Sequence, residues 1–222
     1  MTSASAPQTS HQQRDPDAPG GIVATAAMVR IGAWLFERRT WLPLPLAIAL
    51  LLIPARRDIS PPPFLLGAAV VALGECIRLW GVHHIGAISR TRSDRLGPLV
   101  STGPFALVRN PLYLGNIALW VGFALALRLL WTVPIIIVIL GFEYHAIVRW
   151  EETLLESRRG EEYRAYVARV PRWLPRSRRG PFPPTSSTPR VAFSWRETFF
   201  SERGTLIAIA AGFVLIYLKL TV

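Results

Sequence analysis

Thr205 to Val222 is an 18-residue apolar run whose single charge is Lys219. A run of that length suits the hydrocarbon of a bilayer, which takes about 20 residues of α-helix to cross. Three more runs share its character: Phe64 to Trp80, Leu112 to Leu127 and Leu129 to Val148. Pro61, Pro62 and Pro63 mark the start of the first, since a first helical turn tolerates proline and later turns do not. Arg128 alone separates the other two, which predicts a helical hairpin with a very tight turn. Trp41 to Pro54 is short for a span and carries Pro43 and Pro45, so it must be kinked, thin or helped by its flanks. The expected fold class is all-α: a polytopic membrane helical bundle of about five spans.

Composition decides how the charge is read. Lys plus Arg number 25 against 14 Asp plus Glu, a formal +11 that alone would fit a nucleic-acid binder. The chain is also 51% hydrophobic and only 18% charged, so the excess reads as basic loops on the cytoplasmic side, with no nucleic acid required. Two segments hold most of it. Val82 to Asn110 carries Arg90, Arg92, Arg95 and Arg109 against Asp94, and Arg149 to Arg203 is richer still. The hairpin returns to the side it left, which puts both segments on one face and the C-terminus outside; Arg56 and Arg57 count against this orientation. Cys76 is the only cysteine, so a disulfide scaffold is excluded.

The expected division is a disordered tail at 1–21, an N-terminal interfacial helix and first span at 22–63, and a core at 64–176. A basic, Pro-rich linker with an interfacial segment follows at 177–203, then a C-terminal transmembrane helix at 204–222. Residues 22–36 are apolar but interrupted by Arg30, so an interfacial helix is the modest reading and a span the bolder one.

No Gly-rich dinucleotide loop or P-loop is present, and His11, His83, His84 and His145 form no metal motif. Two places carry the chemistry. Asn110 before Pro111 is a helix-start signal beside Arg109, and free N–H groups there would suit a carboxylate or phosphate. The fourth span carries Glu143 and His145 and runs straight into Arg149, Glu151 and Glu152. Ionisable residues in a span are costly and point to function. On a continuous helix His145, Arg149, Glu152 and Glu156 share one face, and Glu151 lies about 100° away. An antiparallel hairpin brings this acidic end back beside the Arg109–Pro111 helix start. Glu75 has a simpler account in an i, i+3 ion pair with Arg78.

The order of these pieces resembles the isoprenylcysteine carboxyl methyltransferase and phospholipid methyltransferase group of integral membrane enzymes. The residues that carry it are Leu99, Val100, Gly103 and Phe105, then Arg109, Asn110, Pro111, Tyr113 and Gly115, then Glu151 with Glu152. Gly160, Glu162, Tyr163, Tyr166, Val170, Pro171 and Pro175 complete it. The resemblance implies S-adenosylmethionine as cofactor, held in a helical pocket at the cytoplasmic face and not in a Rossmann sheet. It implies Leu99, Val100, Phe105, Asn110, Pro111, Tyr113 and Glu151 as the cofactor-binding set, and Arg109 as the group that orients an anion. Asn110 stands where the family usually has His, Phe105 where it has Tyr, and Ile147 where the prenylcysteine enzymes have a substrate-contacting Arg. Arg149, half a turn from Ile147, is the substrate candidate in its place.

The expected reaction is methyl transfer to a lipid-like or small hydrophobic acceptor. A carboxylate acceptor is favoured because it is already ionised; an amine or thiol would need a base, for which His145 or Glu152 could serve. Membrane lipids and the hydrophobic acceptor are the expected partners. A sterol-type reductase using NADPH shares a similar helix start, but it continues with a glutamate where this chain reads Leu114, Gly115, Asn116. A non-catalytic membrane scaffold is the alternative from another class.

Overall fold

Helix starts in this chain are set by proline and by one reciprocal cap. A computed structural model describes residues 26–55, 61–86, 99–175 and 194–221. The 1–21 tail, Arg56 and Arg57, the arginines at 90, 92 and 95, and most of the Pro-rich linker lie outside the described residues. Seven α-helices are present among the described residues: α1 Ala26–Arg38, α2 Pro43–Leu52, α3 Pro61–Ile85, α4 Pro111–Ala126, α5 Thr132–Arg159, α6 Glu161–Arg169 and α7 Trp195–Thr221. A 3₁₀ turn spans Gly103–Ala106, and there is no strand among the described residues. Prolines open α3 and α4, as expected, and Pro43, which was expected to interrupt a short apolar run, opens α2.

Among the described residues three helices are long and apolar enough to cross a membrane: α3, α5 and α7. α2 and α4 are apolar but shorter, at 10 and 16 residues. Their outward faces carry Leu65, Leu66 and Leu73 on α3, Ile137, Val138 and Phe142 on α5, and Ile207, Val214 and Leu218 on α7. Exposed aliphatic surface of that extent is stable against hydrocarbon and not against water.

The helix that carries the expected final span begins ten residues before that apolar run. Helix α7 starts at Trp195, so the segment read as interfacial linker up to residue 203 is its first turns. Ser194 and Glu197 explain the start: the Glu197 N–H donates to Ser194 Oγ at 3.3 Å, and the Ser194 N–H donates to Glu197 Oε2 at 2.8 Å.

The antiparallel pair α3–α4 makes the most extensive helix–helix contact among the described residues. Gly67 and Gly74 on α3 meet Gly122 and Gly115 on α4, and Gly81 meets Leu112 and Pro111; along each helix the glycines stand seven residues apart. A Cβ on Gly115 would sit 2.7 Å from the Gly74 carbonyl oxygen, and one on Gly122 2.7 Å from that of Gly67. Small residues let the backbones approach this closely, which is how helices gain packing energy where lipid competes for apolar surface. The α4–α5 hairpin turns as tightly as expected. Arg128 takes φ 59°, with Leu129 N–H donating to Ala124 O and Arg128 N–H donating to Leu125 O, both at 2.9 Å. Helix α7 runs back along α3, and α1 packs along α5 with Gly32 against the Ala146 backbone. The ends of α3 and α5 and the starts of α4 and α7 therefore share one side of the bundle.

Candidate active site

Proline at the first position of α4 removes one backbone donor there, and the residue before it is held at φ −130°, ψ 55°. The Asn110 side chain does not cap the helix as expected. Its Nδ2 donates to the Arg172 carbonyl at 3.2 Å, while the Arg109 N–H donates to the Pro171 carbonyl at 2.9 Å. Both bonds tie the loop before α4 to the chain that leaves α6.

Glu152 is 2% exposed and lies in the grip of three arginines. Arg172 holds it in a fork, Nε to Oε1 at 2.9 Å and Nη2 to Oε2 at 2.7 Å. Arg109 Nη1 stands 2.8 Å from Oε1 and Arg149 Nη1 3.8 Å from Oε2. The expected shared face of α5 is thus divided: Arg149 and Glu152 pair, but Glu156 turns away to Arg164 at 3.1 Å. His145 lies within the fields of Arg172, Arg149 and Glu152. Glu152, expected as a candidate base, thus stands with both carboxylate oxygens engaged by arginines. The three arginines against one glutamate leave a formal +2, and Arg109 Nε is buried without a hydrogen-bond partner among the described residues. Arg172 was missed by the sequence reading, although it directly follows the Val170–Pro171 pair that the reading used.

Glu151, one residue away, faces α4 as expected. Tyr113 donates its hydroxyl to Glu151 Oε1 at 3.0 Å, and the Tyr113 ring stacks on Tyr144, centroids 4.8 Å apart and planes at 26°. Arg39, at the end of α1, is near enough for its charge to act on both Tyr113 and Glu151. Helix α1 was not part of the expected site.

Around these two centres sits a packed floor. Leu99, Tyr163, Tyr166 and Val170 form one buried cluster, and Tyr166 donates its hydroxyl to the Phe105 carbonyl at 2.7 Å. Leu99 and Phe105 are 4% and 7% exposed, so they serve as packing under the site; Val100 is half-buried beside them. Burial pushes the Tyr163 and Tyr166 phenols well up from their ordinary range, which keeps both as neutral donors. Tyr163 faces the Arg109 guanidinium. Pro111 packs onto Gly81, and Ile147 is fully buried in the main core. Gly160 ends α5 at φ 49°, the left-handed geometry that turns the chain into α6.

A cavity of about 600 Å³ lies elsewhere, between α1 and α5. Ile31, Trp34, Leu35 and Phe142 line it, with Arg30 and Glu143 as its charged members, and none of the expected site residues except the neighbourhood of Glu143 touches it. No group of three or more His, Cys, Asp or Glu among the described residues is placed to hold a metal ion.

Residues 63–161 match the family model of phospholipid methyltransferases, the same family of integral membrane methyltransferases that the motifs resemble. Two curated relatives are similar to about half of the chain. The nickel-cobalt-cadmium resistance protein NccN of Alcaligenes xylosoxydans xylosoxydans is 31% identical over 112 residues, 50% of this chain and 48% of the relative. The cobalt-zinc-cadmium resistance protein CzcN of Cupriavidus metallidurans is 30% identical over 118 residues, 53% of this chain and 51% of the relative. The chain therefore spans about half the length of the curated relatives it matches. No solved structure matches.

Proposed function

From the match of residues 63–161 to the phospholipid methyltransferases, we propose that this chain is an S-adenosylmethionine-dependent methyltransferase acting on a hydrophobic acceptor at the membrane surface. The observation that carries the reading is the Tyr113–Glu151 bond at 3.0 Å, which closes the start of α4 onto the acidic end of α5 inside the matched segment.

The donor set suits such a cofactor. Glu151 is an acceptor for an ammonium or ribose hydroxyls, the stacked faces of Tyr113 and Tyr144 attract a sulfonium, and the first N–H groups of α4 suit a carboxylate. When bound, S-adenosylmethionine supplies an electrophilic methyl group. The chain's own residues orient and desolvate the acceptor. The excess positive charge of Arg109, Arg149 and Arg172 around Glu152 favours an acceptor that is itself an anion, a carboxylate in the first place. Such a nucleophile needs no base, which agrees with the full engagement of Glu152. His145 beside Arg149 and Arg172 is the group through which an amine or thiol acceptor would lose its proton. The apolar cavity between α1 and α5 offers the acceptor's hydrocarbon part a lipid-side approach.

The orientation that goes with this reading places the site side of the bundle toward the cytoplasm in a multi-pass protein, the inner membrane if the source is bacterial. The test is calorimetric binding of S-adenosylmethionine to the purified protein. Binding that weakens at least tenfold in Glu151→Ala, with NADPH giving no thermal stabilisation, is the expected result. Absence of cofactor binding, or affinity unchanged in Glu151→Ala, overturns the site.

A further inference from the structure

Charged side chains on the spans find partners inside the bundle. Arg78 on α3 bonds Glu202 on α7 and donates to Asn116 Oδ1 on α4, and Glu75 Oε2 stands 3.5 Å from its Nε. Lys219 on α7 donates to the carbonyls of Leu50, Leu51 and Ile53 at the end of α2. Arg30 and Glu143 differ. Neither has a hydrogen bond or an ion pair with any described residue, and both line the cavity of about 600 Å³ between α1 and α5.

Their depth makes that costly. Glu143 lies about 16 Å along α5 from Thr132, where the span begins, and so sits near the middle of a hydrocarbon layer about 30 Å thick. Helix α1 runs in the same direction as α5. Gly32 packs on the Ala146 backbone, and four residues further along each helix the Phe36 and Trp150 rings meet, centroids 4.5 Å apart. That register sets Arg30 level with Tyr144, so the two charges share one depth. Ionisable groups inside a membrane are expensive, and unpaired ones mark a place where a ligand supplies the partner.

The walls and the charges together define that ligand. Ile31, Trp34, Ile139 and Phe142 line the cavity and are 41% to 55% exposed, so it opens to hydrocarbon, and its size is that of a small-molecule site. The occupant therefore has an apolar body and arrives through the bilayer. Arg30 only donates hydrogen bonds, and the Glu143 carboxylate only accepts them. A carboxylate head would suit Arg30 and be repelled by Glu143; an ammonium would do the reverse; an alkane serves neither. A hydroxyl serves both, its oxygen accepting from Arg30 and its O–H donating to Glu143.

We propose that the cavity between α1 and α5 is a binding site for a bilayer-dissolved amphiphile with a neutral hydroxyl head, held between Arg30 and Glu143. The two charges cancel, in contrast to the surplus around Glu152, so the two places select different head groups. Helix α1 lies outside the matched segment 63–161, so one wall of the site belongs to the part of the chain that the family match does not reach. The site is defined without reference to methyl transfer. It stands about 12 Å along α5 from Glu151.

The experiment follows tryptophan fluorescence of the full chain in bilayer discs of phosphatidylcholine. The discs are titrated with decanol, decane, decanoate and decylammonium, each carrying one bromine at mid-chain. Bromine quenches a nearby indole, and the difference between the parent and Trp34→Phe isolates the Trp34 signal from that of the other tryptophans. Trp34 quenching is expected to saturate with bromodecanol at about one tenth of the concentration that the other three probes require. Glu143→Leu and Arg30→Leu are each expected to raise the half-saturating concentration of bromodecanol about fivefold or more. Glu143→Gln still accepts a hydrogen bond; it is expected to raise that concentration less, and it guards against a variant that simply misfolds. Equal quenching by all four probes, tighter binding of decanoate or decylammonium, or titrations unchanged in both leucine variants overturn the proposal. A lower unfolding midpoint in the leucine variants with an unchanged titration also overturns it, and leaves the two charges a structural role alone. The readout needs no cofactor, so its outcome is separate from the S-adenosylmethionine test.

Discussion

The two buried charge clusters are mirror images. At the end of α5 one carboxylate, Glu152, is surrounded by Arg109, Arg149 and Arg172. Between α3, α4 and α7 one guanidinium, Arg78, is shared by Glu75 and Glu202. The first is formally +2 and the second −1 by the same count of named groups. Their settings differ as much as their signs. Arg172 is 22% exposed at the rim of the first cluster, whereas no member of the second exceeds 14%. A cationic cluster with a partly open rim can exchange its internal carboxylate contacts for those of a visiting anion. A closed cluster with surplus carboxylate has nothing to exchange and fixes helices instead. The difference teaches that the same ion-pair chemistry suits two ends in this fold: an open-rimmed cationic cluster is suited to meeting an anion, and a closed cluster to holding helices in register.

The sharpest way to break the comparison is to remove each centre. Arg78→Met leaves two carboxylates in the bundle without their cation, and is expected to cost about 3–5 kcal/mol or to prevent folding. Midpoints of thermal unfolding in detergent check it. Glu152→Gln keeps the shape but removes the charge from among three arginines, and the open rim softens the loss to about 2–3 kcal/mol. Added phosphate or sulfate should restore part of the Glu152→Gln midpoint and none of the Arg78→Met midpoint. Rescue of both, or of neither, would erase the distinction drawn between the clusters.

How much of this could be read beforehand follows from distance along the chain. The apolar runs, the proline starts and the hairpin at Arg128 are local signals, and each yields a helix or turn where expected. The resemblance to membrane methyltransferases was legible because the motifs are short and ordered, and residues 63–161 match a family model of that kind. Two local signals were overlooked: the Ser194-to-Glu197 cap that starts α7, and the seven-residue spacing of Gly67, Gly74, Gly81, Gly115 and Gly122. The partners of the site charges are different in kind. Glu75 was paired with Arg78, four positions of one helix, yet the shorter bonds of Arg78 go to Asn116, 38 residues away, and Glu202, 124 away. Glu152 likewise finds Arg172 and Arg109 across chain turns. In an arginine-rich sequence many such pairings are equally plausible, and only the packing of helices selects among them.

The floor beneath the cationic cluster offers a smaller test. Tyr166 is 3% exposed and its hydroxyl reaches the Phe105 carbonyl, holding the loop that carries Arg109. Tyr166→Phe strands that carbonyl, and the expected cost is about 1–2 kcal/mol. Because the loop carries Arg109 but no residue of the Arg78 cluster, the anion response of the first cluster should weaken while cofactor-independent bundle contacts hold. Equal weakening of both clusters would mean that they are one unit.

The smallest effect is expected from Arg164, and it sharpens the comparison by supplying the solvent-exposed case. Its guanidinium meets Glu156 Oε1 at 3.1 Å and Glu161 Oε1 at 3.3 Å, much the geometry seen at Glu152, yet its side chain is 47% exposed. Water screens those charges and the pair gains little from meeting. Arg164→Ala should leave the unfolding midpoint where it was, in low salt and in high. A clear drop would mean that proximity alone makes these ion pairs strong, and the contrast between the open-rimmed and the closed cluster would lose its physical basis.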